Sequence, residues 1–302
     1  MMSDMAPEQS FQEQRPRLFS LAYRMLGSAA DAEDVLQDAW LRLQAADAAS
    51  IESAGAWLTT VVTRLCLDQL KSARQRRESY VGPWLPEPLP TEPAPDRESI
   101  SMAFLLLLDQ LTPAERATYL LHEVFDYSHA EIAEIIGTTA ANCRQLALRA
   151  KTHLRERRPR FAPSVESHER LLAQFLTAVQ GGQLEPLKQL LSDEVVLRSD
   201  GGGKASAATR PVEGSERVAR FFLGLAGKMA RHPLPITFRI LSVNGWPALV
   251  TLESGRIVFV LSIESDGQRI HALYSVLNPD KLVAVERALQ AQAGSKNSGS
   301  EN

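Results

Sequence analysis

Two stretches of the sequence concentrate lysine and arginine in patterns that could bind phosphate groups. Residues 64–77 carry five basic side chains against one aspartate, and residues 144–160 carry seven against one glutamate. On a helix of 3.6 residues per turn, one stripe collects Arg64, Lys71 and Arg74. Clusters of this kind are candidate nucleic-acid contacts, and a solvated helix face explains either cluster alone equally well.

A third stretch has the opposite charge. Residues 31–38, DAEDVLQD, contain four acidic side chains and no basic one, and apolar Val35, Leu36 and Trp40 are interleaved with or follow them. Carboxylates near the start of a helix are stabilised by its macrodipole, which is a purely structural explanation for them. The pattern therefore predicts a helix that begins near Asp31.

The length, net charge and cysteine content of the chain limit the classes of protein to which it can belong. A length of 302 residues suggests two or three domains, and the formal net charge is −3. No apolar run approaches the roughly 18 residues that span a bilayer, and no signal peptide is visible, so we expect a cytoplasmic protein without membrane contact. Cys66 and Cys143 lie in helical segments, which argues against a disulfide framework or a zinc site. We expect no metal and no cofactor.

Start and stop signals mark a helical hairpin in the middle of the chain. Thr112 is followed by Pro113 and, three residues on, by Glu115, which together form a capping box with proline at the first helical position. Ser128 opens a second capping box, and its helix ends at Gly137. A third helix, capped by the threonines at 138 and 139, follows at once and ends in the second basic run. This is the outline of a helix-turn-helix, whose second helix enters the major groove of DNA.

A proline-rich linker precedes this hairpin. Prolines at 83, 86, 88, 90, 93 and 95 exclude a helix or a central strand and predict an extended, semi-rigid spacer. Its first half nevertheless carries four side chains that could serve as anchors, Tyr80, Val81, Trp84 and Leu85. A plain spacer has little use for a tryptophan, so we expect this half to dock on a partner surface.

The C-terminal part changes character. Two helical segments follow residue 164, and a strand and a third helix come next. Alternating apolar segments then follow, separated by hairpin signals such as Asn244-Gly245 and Asp266-Gly267. Helices first and an antiparallel meander last predict an α+β domain. The composition after about residue 291 predicts a disordered tail.

Long segments of the chain resemble a known family. LAYRMLGSAADAEDVLQDAWLRL with AWLTTVVTRLCLDQLKS resembles region 2 of sigma-70 family factors of the extracytoplasmic-function (ECF) type, and LTPAERATYLLHEVFDYSHAEIAEIIGTTAANCRQLALRAKTHL resembles their region 4. The C-terminal part is similar to SnoaL-like domains, a cone-shaped fold shared with ketosteroid isomerases. The motifs YVGPWLPEP, DGGGK and NPDKL resemble the ECF subgroup that carries such an extension.

The resemblance implies a multidomain fold class. It comprises two all-α helical domains, the second a helix-turn-helix, and a C-terminal α+β SnoaL-like domain. The expected limits are 11–79 for region 2, 80–99 for the linker, 100–162 for region 4, 165–290 for the SnoaL-like domain and 291–302 for the tail.

The resemblance also implies functions for individual residues of the two helical regions. The acidic helix would dock on the clamp helices of core RNA polymerase through Asp31, Glu33, Asp34, Gln37, Asp38 and Trp40. The helix with Arg64, Lys71 and Arg74 would bind the −10 promoter element, and the loop before it, residues 45–55, would capture a flipped base. The −35 element would be bound by Thr139, Asn142, Arg144, Gln145 and Arg149.

One departure from the family pattern concerns the −35 contacts. Leu146 occupies a position that is frequently basic, while Gln145 could pair with an adenine edge. The remaining basic residues of this helix, Arg149, Lys151, Arg155, Arg157 and Arg158, are expected to touch phosphates, which position the protein without reading sequence.

For the linker, our hypothesis is a regulatory contact with the C-terminal domain. It would join Trp84, Leu85 and Pro86 to the turn formed by Asp200, Gly201, Gly202, Gly203 and Lys204 and to Asn278 and Pro279. Three consecutive glycines permit close approach of another backbone, and Asp200 is expected to be exposed at the rim. The alternatives are that Trp84 packs on the region 2 helices and that DGGGK is a simple turn.

Catalysis by the C-terminal domain is the less favoured hypothesis. An isomerase needs a carboxylate base in an apolar cup and an oxyanion donor, and the candidates are Asp200, His232, His271 and Tyr274. The sequence does not bring these four into one cavity, so we expect no catalytic residues. A small-molecule ligand in the cup remains an option for this domain.

The rival functions make different predictions. A ligand-responsive repressor or activator would bind specific DNA by itself, usually as a dimer, whereas we expect a monomer that works with core RNA polymerase on promoter DNA. An isomerase or hydrolase fused to a helical module would show turnover. A protein-binding scaffold leaves both basic stretches unexplained.

Overall fold

The computed structural model describes residues 7–47, 51–92, 100–157, 163–231 and 234–298. These residues form two compact units. The first contains Met1–Ser79 and Leu105–Arg158, and the second contains Tyr80–Phe104 and Pro159–Asn302. The two helical regions therefore share one unit, and the first part of the linker belongs to the unit of the C-terminal domain.

The described residues of the first unit are helical apart from their connections. In chain order the helices are α1 (Pro7–Leu26), α2 (Ala29–Ala45), α3 (Ala54–Glu78), α4 (Met102–Leu108, which runs from the second unit into the first), α5 (Pro113–Glu123), α6 (His129–Ile136) and α7 (Ala140–Arg157).

The helix signals read from the sequence are confirmed. Thr112 and Glu115 form the predicted capping box at the start of α5, and Ser128 and Glu131 form the one at the start of α6. Gly137 ends α6 with φ of 73°, the left-handed conformation that glycine adopts without steric penalty. These local signals set the tight turn between α6 and α7.

The core of the first unit joins helices from both regions. Helices α1, α2 and α3 pack together, and α3 also packs against α5 and α6. Tyr23, Leu58 and Leu120 are among the fully buried side chains. Cys66 and Cys143 are free thiols buried in this unit, and burial, with a contribution from Asp31, raises the pKa of Cys66.

The second unit combines helices with one six-stranded sheet. Its elements are α8 (Val165–Gln180), α9 (Leu184–Gln189), β1 (Leu191–Asp200), β2 (Val212–Glu213), α10 (Ser215–Ala230), β3 (Ile236–Val243), β4 (Trp246–Glu253), β5 (Arg256–Ser265), β6 (Ile270–Val276), a short 3-10 helix (Pro279–Lys281) and α11 (Val283–Ser298). The strand order is β2-β1-β6-β5-β4-β3, and all neighbours are antiparallel except β1 and β6.

The core of this unit lies between one face of the sheet and helices α8, α9 and α10. Phe175 of α8 meets Phe222 of α10 edge to face, with ring centroids 4.9 Å apart. Leu197, Leu261 and Leu273 contribute from three neighbouring strands. Because strand side chains alternate between faces, the residues next to these leucines point to the opposite face of the sheet.

Two details of the second unit differ from the sequence expectation. The predicted hairpin at Asn244-Gly245 forms, with φ of 55° and 79°, but the two-residue strand β2 was not predicted. Helix α11 extends to Ser298 and so covers most of the segment expected to be disordered. The run VAVERALQAQA, which ends at residue 293, consists largely of strong helix formers, whereas most of the residues GSKNS that continue the helix have low helix propensity.

No helix among the described residues is long and apolar enough to cross a membrane. The same residues contain no group of three or more His, Cys, Asp or Glu side chains placed to hold a metal ion.

Candidate functional site

The outward face of α7 is the candidate for DNA reading in the first unit. Its opposite face is buried through Cys143, Ala147 and Ala150, which pack against the rest of the helix-turn-helix. Arg144, Gln145 and Arg149 are exposed, as the prediction for −35 contacts requires. The structure therefore brings these three predicted residues together on one accessible surface.

Two other predicted −35 residues have local structural roles. The Thr139 hydroxyl accepts a hydrogen bond from the Asn142 backbone N–H at 3.2 Å, so Thr139 caps α7. The Asn142 side-chain amide donates to the Thr138 hydroxyl at 2.9 Å. Both side chains are at the start of the helix, where base contacts are expected, but their polar atoms already stabilise the turn.

The predicted −10 stripe on α3 is not a free basic surface in this structure. Arg64 donates from Nε to the Ile135 carbonyl oxygen at 2.9 Å and from its terminal nitrogen to that of Glu134 at 3.1 Å. These carbonyls lie in the last turn of α6. Carbonyl oxygens in the last turn of a helix have no N–H partner within the helix, and they carry the negative end of its dipole. Sequence reasoning could not anticipate this contact, because it joins residues 70 positions apart.

The other two members of the stripe differ from Arg64. Lys71 forms an ion pair with Asp68 at 2.9 Å, and both side chains are largely exposed. Arg74 lies within α3, and its side chain is outside the described residues, as is part of the loop predicted to capture a flipped base. Of this predicted set, Arg64 and Lys71 are described and exposed, but Arg64 is engaged by α6, whereas Lys71 is paired within its own helix.

Further hydrogen bonds join the two helical regions of the first unit. Arg116, which is almost fully buried, donates to the Met25 carbonyl oxygen at 2.6 Å and to that of Leu108 at 2.7 Å. The Tyr127 hydroxyl donates to Thr59 at 3.0 Å. The helix-turn-helix is thus held against α1 and α3 by directional contacts as well as by packing.

Helix α2 presents the acidic residues predicted for polymerase binding. Glu33, Asp34, Gln37 and Asp38 are exposed, whereas Asp31 and Trp40 are half-buried. Trp40 packs on Phe11 of α1 with ring centroids 5.1 Å apart, so part of its surface supports the helix pair.

One residue of this surface was missed by the sequence analysis. Leu41 is 53% exposed and lies one turn beyond Gln37 and Asp38, on the same side of α2. Leu41 is therefore not a core residue, and it lies beside the carboxylates that were predicted to bind polymerase. The sequence did contain a signal: Leu41 lies seven residues after Asp34, about two helical turns, which places both on one face of α2.

In the second unit, Asp200 is the centre of a buried polar cluster that holds the linker. Its carboxylate is fully buried and accepts the Tyr80 hydroxyl at 2.6 Å, the Leu85 backbone N–H at 2.8 Å and the Lys281 ammonium at 2.7 Å. The Asn278 amide donates to the Tyr80 oxygen at 2.9 Å. We call these five residues the docking cluster. The expectation that Asp200 is exposed is wrong, because the linker covers it.

Lys281 connects the docking cluster to Trp84. Its ammonium donates to the Leu85 carbonyl oxygen at 2.5 Å and lies 4.3 Å from the centroid of the Trp84 ring, a cation–π contact. Leu85 is fully buried and Pro86 is buried as well, whereas Trp84 is half-buried. Trp84 and Leu85 therefore contact Asp200 and Lys281 of the C-terminal domain, and Leu85 is the more deeply buried of the two.

The glycines of the DGGGK turn permit this close approach. A Cβ at Gly202 would lie 2.9 Å from the Tyr80 hydroxyl and would collide with the Asn278 side chain. Gly203 has φ of 72° and faces Val81, where a Cβ would come within 3.3 Å. Lys204 is exposed and pairs with Asp280 at the rim. Gly202 and Gly203 thus leave room for the side chains of Tyr80, Val81 and Asn278 rather than for another backbone.

Two members of the docking cluster were not predicted as partners of Asp200: Tyr80 was expected only as a possible anchor of the linker, and Lys281 was not singled out. Both lie in motifs that the sequence analysis quoted, YVGPWLPEP and NPDKL. Burial, together with the hydrogen bond to Asp200, raises the pKa of Tyr80, so its hydroxyl remains a donor at neutral pH. Pro279, which was predicted, begins the 3-10 helix that carries Lys281.

The next part of the linker pairs with the β3–β4 hairpin. The Asn244 backbone N–H donates to the Leu89 carbonyl oxygen at 2.7 Å, and the Thr91 N–H donates to that of Ser242 at 3.2 Å. The Gly245 N–H donates to the Thr91 hydroxyl at 2.6 Å. Two separate sets of hydrogen bonds thus fix the linker from Tyr80 to Thr91 on the C-terminal domain.

An apolar cavity of about 250 Å³ lies between the sheet and helices α8 and α10. Most of the side chains that line it are aliphatic or aromatic, including Phe175, Phe222 and Leu261, and Gln180 supplies a side-chain amide. Asp200, His271 and Tyr274 are not among the lining residues. His232 lies outside the described residues. The structure does not bring the described catalytic candidates together in this cavity.

Two of these candidates have partners elsewhere on the sheet. The Tyr274 hydroxyl donates to Glu264 at 2.8 Å, and burial raises the pKa values of both side chains. His271 Nε2 lies 2.8 Å from the Asp266 carboxylate. Burial alone would raise the pKa of Asp266, but backbone and His271 hydrogen bonds lower it to about 2. Tyr274 faces away from the core side of the sheet, because its neighbour Leu273 belongs to the core.

Comparison with known proteins agrees with the geometry of both units. Residues 11–77 match the Sigma-70 region 2 family and residues 101–154 match the Sigma-70, region 4 family. The chain is 36% identical over 293 residues to the ECF RNA polymerase sigma factor SigJ of Mycobacterium tuberculosis, covering 90% of this chain and 91% of that protein. The probable ECF RNA polymerase sigma factor SigI of the same species is 31% identical over 278 residues, covering 89% and 92%.

The fold is shared with a solved structure. The crystal structure of M. tuberculosis SigJ matches 91% of this chain and 97% of that one, with a TM-score of 0.72 and 33% identity. Both helical regions and the C-terminal α+β, SnoaL-like domain fall within this match. The chain therefore belongs to the sigma-70 family as an ECF sigma factor, a promoter-specific initiation factor of RNA polymerase.

Proposed function

We propose that this sigma factor is controlled by its own C-terminal domain through the linker. In this proposal α2 binds core RNA polymerase, α3 binds the −10 element and α7 binds the −35 element. The C-terminal domain limits their separation by holding residues 80–91. The observation that supports control most directly is the full burial of Asp200 beneath the linker, with three donors on one carboxylate.

The energetics of the docking cluster favour a specific contact over incidental packing. A buried carboxylate is tolerated only when it is paired and hydrogen-bonded, since an uncompensated buried charge costs several kcal/mol. Asp200 satisfies this requirement only with Tyr80 and Leu85 in place beside Lys281. Release of the linker therefore requires water or another partner to replace two donors on the aspartate.

The reach of the linker explains how docking could control initiation. Elements named −10 and −35 lie about 25 base pairs apart, roughly 85 Å along B-DNA at 3.4 Å per base pair. The contact between Arg64 and the end of α6 holds the two DNA-binding regions together, so binding both elements requires it to open. With residues 80–91 docked, only residues 92–101 can lengthen the connection, by at most roughly 35 Å.

We further propose that the C-terminal domain binds rather than catalyses. Among the described residues that line its cavity, none carries an ionisable side chain, and Gln180 supplies the side-chain amide. Such a lining suits a small, uncharged, apolar molecule and offers no general base. Occupancy of the cavity by such a molecule is one way in which the docking cluster could be weakened or strengthened.

The experiment that tests the function is run-off transcription with bacterial core RNA polymerase on a genomic promoter library, using the full-length chain. We expect specific transcripts that depend on the chain, and a protein that acts in the cytoplasm as a monomer until it joins polymerase. Specific binding to a duplex by the protein alone, without initiation, would favour the repressor alternative. Turnover of a substrate that ends on substitution of Tyr274 would favour the enzyme alternative.

A further inference from the structure

We propose that Leu148 is a specificity residue that contacts a thymine methyl group in the −35 element. The inference rests on the proposed function of α7 as the −35 reading helix. Leu148 is 66% exposed, the largest exposure among the exposed large hydrophobic side chains of the described residues. The sequence comparison with the family pattern drew attention to Leu146, but Leu146 is half-buried.

The position of Leu148 on α7 points it at the DNA. The buried face of the helix is formed by Cys143, Ala147, Ala150 and Leu154. At 100° per residue, the exposed Gln145 lies near the centre of the opposite face, and Leu148 lies on the same face about 60° from Gln145. A core role is therefore excluded, and the exposed Leu148 side chain is available to an apolar group of a bound partner.

The surroundings of Leu148 select nucleic acid as that partner. The exposed side chains around it include Arg144, Arg149 and Arg155. A ring of cations around one apolar side chain complements a phosphate-lined groove and disfavours an apolar protein surface. In the major groove the thymine C5-methyl is the apolar group that base pairs display, and aliphatic side chains contact it.

The spacing from Gln145 narrows the base pair concerned. Leu148 lies three residues further along α7, which is about 4.5 Å at 1.5 Å per residue. Base pairs are stacked 3.4 Å apart, so the two side chains reach the same or neighbouring pairs. If Gln145 pairs with an adenine edge, Leu148 reads a thymine beside or opposite that adenine.

The test removes the methyl group from the DNA. The assay uses holoenzyme formed from core RNA polymerase and the full-length chain. Its template is one promoter, chosen because this holoenzyme transcribes it. Each thymine of the −35 element, on either strand, is replaced in turn by deoxyuridine, which differs only in lacking the C5-methyl. Burial of a methyl-sized group contributes roughly 0.8 kcal/mol, so we expect about a fourfold loss of initiation at one position.

The Leu148→Ala variant completes the test. It should initiate less well on the thymine template and should no longer distinguish thymine from uracil at that position. Leu148→Met should retain the discrimination, because an unbranched apolar side chain still reaches the methyl. Each ratio is measured within one variant, so a loss of folded protein cancels. Leu234→Ala truncates an exposed leucine of the second unit and should leave the ratio at its wild-type value.

The outcomes separate this inference from the proposed function. If the holoenzyme is active but no thymine-to-deoxyuridine replacement changes initiation, the assignment of Leu148 is overturned and the proposed function is not. Discrimination that persists in Leu148→Ala overturns it as well. If no promoter supports initiation with the wild-type chain, the proposed function fails and this inference fails with it.

Discussion

The docking cluster and the outward face of α7 use charge in opposite ways. In the docking cluster Asp200 is fully buried, the Lys281 side chain is 11% exposed, and each donates to or accepts from a fixed partner. On α7 the charges of Arg144 and Arg149 are exposed to solvent. Charged side chains that are buried are thus committed to fixed partners, whereas the exposed arginines of α7 remain available for the DNA contact that we propose.

Arg64 stands between these two extremes. It is exposed on its own helix, as a DNA contact should be, yet its guanidinium is held by the last carbonyls of α6. Carbonyl oxygens at a helix end and phosphate oxygens offer the same kind of acceptor to an arginine. A residue of this kind can exchange one partner for the other when the helices separate.

The largest expected effect is that of Asp200→Asn. The substitution keeps the shape of the side chain but leaves Lys281 buried without its counter-charge, which typically costs about 3–5 kcal/mol. We expect the linker to be cleaved faster in limited proteolysis and the thermal transition of the second unit to fall. The matched control is Asp280→Asn, because Asp280 pairs with Lys204 at the exposed rim. If protease cleaves the linker at the same rate in both variants, the buried ion pair of Asp200 holds the linker no better than the exposed pair of Asp280.

A second prediction concerns pH and a buried histidine. His168 is buried against Trp246, with ring centroids 5.1 Å apart, and burial lowers its pKa to about 4. The unfolded chain takes up a proton near pH 6.5, whereas the folded second unit does not, so stability decreases as pH falls from about 6.5 to about 4. The loss should approach about 3 kcal/mol.

Chemical denaturation at several pH values checks this expectation. His168→Phe keeps an aromatic ring beside Trp246 and should flatten the pH dependence across that window. An equally steep dependence in His168→Phe would assign it to other groups.

The third prediction tests the contact of Arg64. A hydrogen bond from a charged donor contributes about 1.5–3 kcal/mol, so Arg64→Ala should expose the end of α6 more often. We expect amide hydrogen exchange in α6 of the free protein to rise about tenfold. Lys71→Ala, on the same helix but paired with exposed Asp68, should leave this exchange unchanged. Slow exchange in Arg64→Ala would indicate that packing alone holds the two regions together.

The smallest expected effect concerns polymerase binding. Leu41→Ala removes an exposed apolar side chain beside the carboxylates of α2, and truncation of an interface anchor typically costs about 1 kcal/mol or more. We expect affinity for core RNA polymerase to fall about fivefold. Glu13→Gln on α1 is a surface control that should bind normally. A wild-type affinity in Leu41→Ala would place the polymerase contact elsewhere on α2.

Local signals in the sequence predicted much of the fold. Capping residues Thr112 and Ser128 and the helix-ending Gly137 fix the helix-turn-helix because each acts within one or two turns of its own helix. Strand alternation and the Asn244-Gly245 turn likewise specify the β3–β4 hairpin. Each of these features depends on residue types and spacings within a few positions of the sequence.

Long-range partners could not be predicted in the same way. The burial of Asp200 depends on a linker about 115 residues earlier, and the engagement of Arg64 depends on carbonyls about 70 residues later. A charged side chain next to glycines is predicted to be exposed unless the segment that packs over it is known. Lys281 was missed because one lysine in a short motif carries no periodic signal.

The most direct test of the account is run-off transcription by holoenzymes that contain the full-length wild-type chain, Asp200→Asn or Asp280→Asn, with linker proteolysis measured on the same samples. The account predicts that Asp200→Asn releases the linker and changes promoter output several-fold, while Asp280→Asn matches wild type in both. A released linker with wild-type output would contradict control by docking and leave the docking cluster as a structural feature alone.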